Sequence, residues 1–531
     1  MTDTPILATA RGTRFEVGAN RKGSTAGATW SFLLPRLPLD RVAVVGTPAR
    51  AGLHRLRELA ADVRFGLSDD GPIDLVWIAP NGILGAQELA AALARLAPDG
   101  LVVDERTVPG PDPADDPRHP GVSMTGFHVL RRDGDTIAAI PEGREYVESW
   151  LRRRGLAGGG SAGLRAWLAR RVEDLRGVRG APGGAAWGDL RLVGRAGTAR
   201  PPRYLCDLAA AEGLDITGHA WGMAAPGSYL TQKVLVPLFA PGSTSPDLIV
   251  KMTRHPTVNP RLLTELDGLR RLATLGDPVA ERVPAVRFAG MHAGMLVVGE
   301  SAIEGERFRA PQADRNPLAA DAVGWLTELG ARTATKADPA EVAGALDELV
   351  DAYLAPDGPG RGLAGLLRAQ VERVRAHRGV MPVVAQHGDP GTWNLLALEG
   401  DRTAFLDWEN FEARGMPLWD LFYLLRSLAV GSARRRPLER RLGLVQRTFL
   451  DTSELTPFMV ESVRRYCAQV GVADELIEPI YHLGWMYQAL KEMTRLRPGH
   501  LGDGHYYAIL RRGLERRGTG TLDRIFRGSA S

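Results

Sequence analysis

Between residues 383 and 410 the chain reads VVAQHGDPGTWNLLALEGDRTAFLDWEN, and no other stretch limits its fold and chemistry as much. Two apolar, strand-like runs, VVAQ and TAFLDWE, flank a loop in which Gly, Asp and Pro exclude a helix. Asp389 stands in that loop, Asn394 follows five residues on, and Asp407 comes thirteen after that. Phosphoryl transfer from ATP needs one carboxylate to orient the attacking hydroxyl and at least two oxygen ligands for a Mg²⁺ ion on the phosphates. This spacing can supply all three. Taken singly, Asp389 and Asn394 read more readily as turn caps. The ordered set HGDPGTWN followed by FLDWE favours chemistry. Glu409 reads either as a group bordering the site or as a solvated carboxylate.

Such a site also needs a nucleotide-binding half upstream. Only five of the 66 basic residues are Lys, and one of them, Lys251, stands in the apolar strand DLIVKMTR. An unpaired ammonium there is costly to desolvate, so Lys251 wants anionic partners or else points to water from an edge strand. Glu265, fourteen residues later on the predicted helix RLLTELDGLRRL, is one possible partner. Residues 219–239 read as strand, turn and strand, with Pro226, Gly227 and Ser228 at the bend, where backbone N–H groups can face phosphate oxygens. A plain hairpin explains this segment as well.

The segment 383–410 resembles the catalytic segment of the aminoglycoside phosphotransferase and choline kinase family, small-molecule kinases with a protein-kinase-like fold. The resemblance implies ATP and Mg²⁺ as cofactors. It makes Asp389 the catalytic base, Asn394 and Asp407 the metal ligands, and His387 a brace for the loop. It also places Lys251 on the phosphates, Glu265 as its ion-pair partner, and the backbone of Gly299, Glu300, Ser301 and Ala302 against the adenine. Asp420, in PLWDLFYLL, resembles a structural residue that steadies the catalytic loop. In this family the C-terminal helices shape the acceptor site. The substrate candidates are therefore Asp389 itself, Glu409, Trp419, Tyr423, Trp485, Lys491 and Arg495, with Arg426 and Tyr487 nearby in sequence. Aromatics at helical spacing also read as core. Lys491 and Arg495, four apart on one helical face, either receive an anionic acceptor or face water.

The first 140 residues alternate β-rich and helical runs: RVAVVG, DLVWIAP and LVVDE, with helices at 49–61 and 84–96 between them, then a hairpin of FHVLRR and TIAAIP. This order resembles a class I S-adenosylmethionine-dependent methyltransferase in degenerate form. The turn after VVG holds only Gly46 and Gly52. No acid follows the next strand, VRFGL, until Asp69 and Asp70, and about 28 residues separate VVG from DLVWIAP. S-adenosylmethionine is therefore not expected to bind. The expected architecture is α/β plus α+β. A Rossmann-like domain at 1–145 precedes a helical connector and linker at 146–200, a nucleotide-binding lobe at 201–302 and a catalytic, acceptor-binding lobe at 303–531.

Composition narrows the partners. The net charge of +4 over 531 residues does not suggest a nucleic-acid binder, and no run of about 18 apolar residues suggests a membrane span. The N-terminus lacks a signal peptide, and two distant cysteines, Cys206 and Cys467, fit a reducing cytoplasm. The expected activity is an ATP- and Mg²⁺-dependent kinase acting on a hydroxyl of a small molecule, natural product or peptide, in biosynthesis or antibiotic resistance. The alternatives are a bifunctional kinase and methyltransferase, and a nucleotide-binding pseudokinase scaffold. The sequence does not fix the oligomeric state.

Overall fold

The computed structural model describes residues 4–12, 29–34, 36–47, 50–67, 71–105, 123–132, 135–154, 186–194, 200–225, 231–309, 316–355, 359–431, 437–497, 499–515 and 520–526. The chain is a mixed α/β protein that divides into two compact units. One comprises residues 22–262 and 286–302, the other residues 1–21, 263–285 and 303–531.

The first unit is organised by one sheet of thirteen described strands. Four are parallel: β1 (Leu39–Val45), β2 (Ala60–Phe65), β3 (Ile73–Ile78) and β4 (Leu96–Asp104), in the order β2-β1-β3-β4. Every residue of β3 is buried, the pattern of a parallel strand covered on both faces. The APDG segment, residues 97–100, lies inside β4 as an irregularity: Ile73 pairs with Leu96, and Leu75 next with Leu101.

β5 (Ser123–Arg132) and β6 (Asp135–Pro141) form the expected hairpin. The strand signal in the expected linker becomes β7 (Ala186–Gly194), lodged between β4 and β5 and antiparallel to both. The sheet then continues through β8 (Ala220–Trp221), β9 (Met223–Ala224), β10 (Val234–Phe239), β11 (Leu248–Met252), β12 (Val286–His292) and β13 (Met295–Ser301). The join is β6 to β9, where Ala138 faces Ala224 and Ala139 faces Met223. A single apolar core runs past the join, from Val42, Leu75 and Phe127 to Trp221, Val250 and Val297.

The second unit is mostly helical. It adds two small sheets: β14 (Glu306–Arg307) with β17 (Leu395–Ala397) and β18 (Thr403–Phe405), and β15 (Thr335–Ala337) with β16 (Met381–Gln386) and β19 (Glu412–Gly415). The chain start docks on β19. Leu7 N donates to Arg414 O at 3.0 Å, Arg414 Nη1 donates to Thr4 O at 2.9 Å, and the amides of Thr9 and Ala10 donate to Glu412 Oε2 at 2.8 and 3.1 Å. Among the described residues no helix is long and apolar enough to cross a membrane.

Candidate active site

The wholly buried strand β16 delivers the chain to His387, and residues 387–394 link it to β17. Asp420, in the first turn of the helix Trp419–Val430, holds the start of this loop. Its Oδ2 accepts the His387 amide at 2.5 Å and its Oδ1 the Gly388 amide at 3.0 Å, the steadying role assigned to it from the sequence. Burial pushes the Asp420 carboxyl up, while the two amides and the Lys491 ammonium pull it down. His387 lies between two turns of chain, with Nε2 bonded to Leu406 O at 2.9 Å and Nδ1 accepting from the Asp389 amide at 3.2 Å. A carbonyl only accepts, so Nε2 carries the proton and the imidazole is neutral. Gly388 has φ +78°, and a Cβ there would lie 2.3 Å from Asn410 O, so only glycine fits.

Asp389 is fixed through one carboxylate oxygen. Its Oδ2 receives Asn394 Nδ2 at 3.3 Å and Trp393 Nε1 at 3.4 Å, while Oδ1 is buried with no hydrogen-bond partner. Asn394 Nδ2 also donates to Asp389 O at 2.9 Å, which sets the amide orientation and reserves its Oδ1 as an acceptor. Asn394 and Asp407 close the β17–β18 hairpin: Leu395 pairs with Phe405, and Leu406 N donates to Asn394 O at 2.8 Å. Asp407 holds φ +67°, a left-handed conformation that costs a non-glycine residue roughly 1–3 kcal/mol and recurs at functional sites. The next amide, of Trp408, donates to Glu265 Oε1 at 3.1 Å, so buried Glu265 steadies the Asp407 loop.

An amide oxygen and a carboxylate are hard donors suited to Mg²⁺. Among the described residues no group of three or more His, Cys, Asp or Glu could hold a metal. An ion taken by Asn394 and Asp407 would therefore complete its shell with phosphate oxygens and water.

In the other unit, Lys251 lies in β11, and its Nζ pairs with Glu300 Oε2 at 2.8 Å, both side chains almost wholly buried. Lys251 faces Val298 across the ladder and Glu300 faces Ile249, so the pair is a diagonal cross-strand contact. This partner was missed. The signal was present: an acid in the apolar run MLVVGES, whose neighbour strand carries a Lys. Of the expected hinge, Gly299, Glu300 and Ser301 pair with β11, and the Ala302 amide donates to Asp247 O at 2.8 Å, which leaves Ala302 only its carbonyl for a purine. Pro226, Gly227 and Ser228 lie outside the described residues.

The acceptor candidates separate into core and site. Trp419 is buried, donates to Ile480 O at 3.0 Å and stacks on Tyr487 at 5.0 Å, which makes it core. Tyr423 packs edge-on against Trp393, beside Asp389, and shares a 2.9 Å hydrogen bond with Tyr506. Trp485 stacks on Tyr506 at 6.0 Å. Glu409 is half-buried. Lys491 Nζ donates to Gly388 O at 3.0 Å and lies over the Tyr487 ring. The expectation that Lys491 and Arg495 share a helical face fails. Their helix, Asp474–Met493, ends before Arg495, which is exposed. Trp393 and Tyr506 were missed because aromatic residues at such spacing carry no mark that separates core from site.

Residues 239–453 match the phosphotransferase enzyme family, a segment that contains Lys251, Asp389, Asn394, Asp407 and Asp420. A search of curated proteins finds no match. Among solved structures the chain is similar to an aminoglycoside phosphotransferase from Streptomyces rimosus in complex with ADP and streptomycin, at 18% identity and TM-score 0.32, over 55% of this chain and 97% of that one. It is similar to a choline/ethanolamine kinase family protein from Mesorhizobium loti, at 17% identity and TM-score 0.31, over 58% and 92%. It is also similar to a choline kinase from Streptococcus pneumoniae, at 14% identity and TM-score 0.34, over 55% and 93%.

Proposed function

We propose that this chain, a phosphotransferase enzyme acting on hydroxyl acceptors, moves the γ-phosphoryl group of ATP onto a hydroxyl of a small molecule or natural product. The observation that carries the reading is Asp389: one carboxylate oxygen is tied to Trp393 and Asn394, and the other is left without a partner. A hydroxyl donating to that Oδ1 has its oxygen oriented for attack on the γ-phosphorus. The new oxygen–phosphorus bond forms as the bond from γ-phosphorus to the β–γ bridging oxygen breaks. The hydroxyl proton passes to Asp389, ADP departs, and Asp389 returns the proton to water. Asn394 and Asp407 would hold a Mg²⁺ ion, which would neutralise charge on the phosphates. Lys251 serves the phosphates, Glu265 steadies the Asp407 loop through the Trp408 amide, and the backbone at 299–302 takes the base.

The amino-terminal region is read as a Rossmann-like, methyltransferase-like accessory domain that carries no methyl donor. Two close approaches support this. A Cβ on Gly46 would lie 2.6 Å from Gly82 Cα, so the loop after β3 already fills the space behind the turn. The Thr47 amide is taken by Asn81 Oδ1 at 2.8 Å. Asp69 and Asp70 lie outside the described residues.

The test is incubation with ATP, Mg²⁺ and a panel of hydroxyl compounds, read by mass spectrometry. A product heavier by one phosphoryl group, lost in Asp389→Asn, is the expected result. ATP binding without any turnover would favour the scaffold reading, and methyl transfer from S-adenosylmethionine the bifunctional one.

A further inference from the structure

Three packed helices of the second unit, Trp419–Val430, Leu438–Val445 and His505–Glu515, bring together Arg426, Arg441 and His505. Arg426 is 3% exposed, and its Nη2 lies 2.5 Å from His505 Nε2. A guanidinium only donates, so Nε2 is the lone-pair nitrogen of that imidazole and Nδ1 carries the hydrogen. Burial first, then Arg426 and Arg441, lowers the His505 pKa to about 2, which keeps the ring neutral. Three donors then remain buried without a partner: Arg426 Nε, Arg441 Nε and His505 Nδ1.

Among the described residues neither guanidinium has a carboxylate at ion-pair distance. The acid acting on both is Glu492, whose Oε2 accepts the Tyr506 amide at 2.9 Å and whose own carboxyl is pushed up by burial. A buried guanidinium with no carboxylate at ion-pair distance is expensive, and donors with no acceptor among them are matched by an oxygen-rich anion.

An aromatic wall connects this cluster to the catalytic carboxylate. Trp393 donates to Asp389 and packs on Tyr423 at 6.0 Å, Tyr423 bonds Tyr506, and the Arg426 guanidinium lies 5.1 Å from the Tyr506 ring centre. We propose that Arg426, Arg441 and His505 form an oxyanion subsite that receives the acid group of the acceptor, so that the substrate is a hydroxyl compound carrying a carboxylate or phosphate. This deepens the phosphotransferase reading and rests on it. A polycationic acceptor would set positive charge against two guanidiniums and is disfavoured.

Two measurements test the proposal. In thermal unfolding, the rise in Tm from sodium sulfate over sodium chloride at equal ionic strength is several degrees larger for the wild-type protein than for Arg441→Gln, which keeps only the general stabilisation by excluded sulfate. Arg441 is only half-buried, so its substitution carries the test if Arg426→Gln fails to fold. In kinetics with matched pairs of hydroxy acids and their amides, the acid has at least a tenfold higher kcat/KM. That ratio falls towards one in Arg441→Gln, and sulfate competes with the acid. A sulfate shift of equal size in the wild type and in Arg441→Gln overturns the subsite, and amides used as well as acids overturn the substrate class. A sulfate shift in which sulfate does not compete with the acid assigns the cluster to a free anion and overturns its role in acceptor binding. If no acceptor is phosphorylated, the substrate class falls with the kinase reading, while the sulfate comparison still decides the subsite.

Discussion

Lys491 donates its ammonium to the carbonyl of Gly388 at 3.0 Å, and that peptide unit is the one that carries Asp389. Asp420 takes the two preceding amides, so the loop is gripped on its donor side by a carboxylate and on its acceptor side by an ammonium. Lys491→Met removes one charge-assisted hydrogen bond, worth roughly 1.5–3 kcal/mol. It also loosens a loop in which misplacement of about 1 Å can cost about 10²-fold. A fall of roughly ten- to a hundredfold in kcat, with the affinity for ATP unchanged, is expected in steady-state kinetics. Unaltered kcat would remove Lys491 from the loop's support.

Asp389→Asn keeps the hydrogen bonds that its backbone makes and removes the proton acceptor. Turnover is expected to drop by roughly 10²–10⁴-fold, the usual contribution of a positioned acid–base group. ATP affinity, measured by calorimetry, should stay within about threefold, since the proposed mechanism has this carboxylate serve the acceptor and not the nucleotide. Turnover above about a tenth of wild type would exclude the role.

Asp407→Ala deletes the proposed hard oxygen ligand and leaves a Cβ-bearing residue at φ +67°, so the backbone strain stays. The variant is expected to need roughly tenfold or more Mg²⁺ for half-maximal activity. A titration that overlays the wild-type curve would show that Asp407 holds no metal.

Lys251→Met takes from the buried Glu300 carboxylate its 2.8 Å partner. Breaking a buried pair on one side costs about 3–5 kcal/mol, so the Tm should fall together with activity. The double variant Lys251→Met, Glu300→Gln should regain most of the stability and none of the turnover. Recovery of turnover would mean that Lys251 matters to the sheet and not to the phosphates.

Burial pushes Glu412 up to about 7 from 4.5, while the amides of Ala10 and Thr9 pull it down. The folded-state value lies above the unfolded one, so the stability it contributes is complete below pH about 4.5 and is lost as pH rises through about 7. The span corresponds to about 3 kcal/mol. Glu412→Gln can still accept both amides and is expected to flatten the decline in Tm between pH 5 and 8. A decline equally steep in the variant would assign it to other groups.

The local features of the chain were legible in its sequence. Apolar runs place β1, β3, β10, β11, β13 and β16, and the spacing of Asp389, Asn394 and Asp407 lies within one strand–loop–hairpin segment. That hairpin brings Asn394 and Asp407 together through neighbours close along the chain. Only the tertiary structure decided partners distant in sequence. It set β7 between β4 and β5, joined β6 to β9, gave Lys251 to Glu300, docked Thr9 and Ala10 on Glu412, and brought Arg426 to His505. The physical reason is that hydrophobic periodicity records which face of an element is buried, not which element buries it. A polar or charged side chain on such a face finds its partner only when packing has set two distant segments side by side.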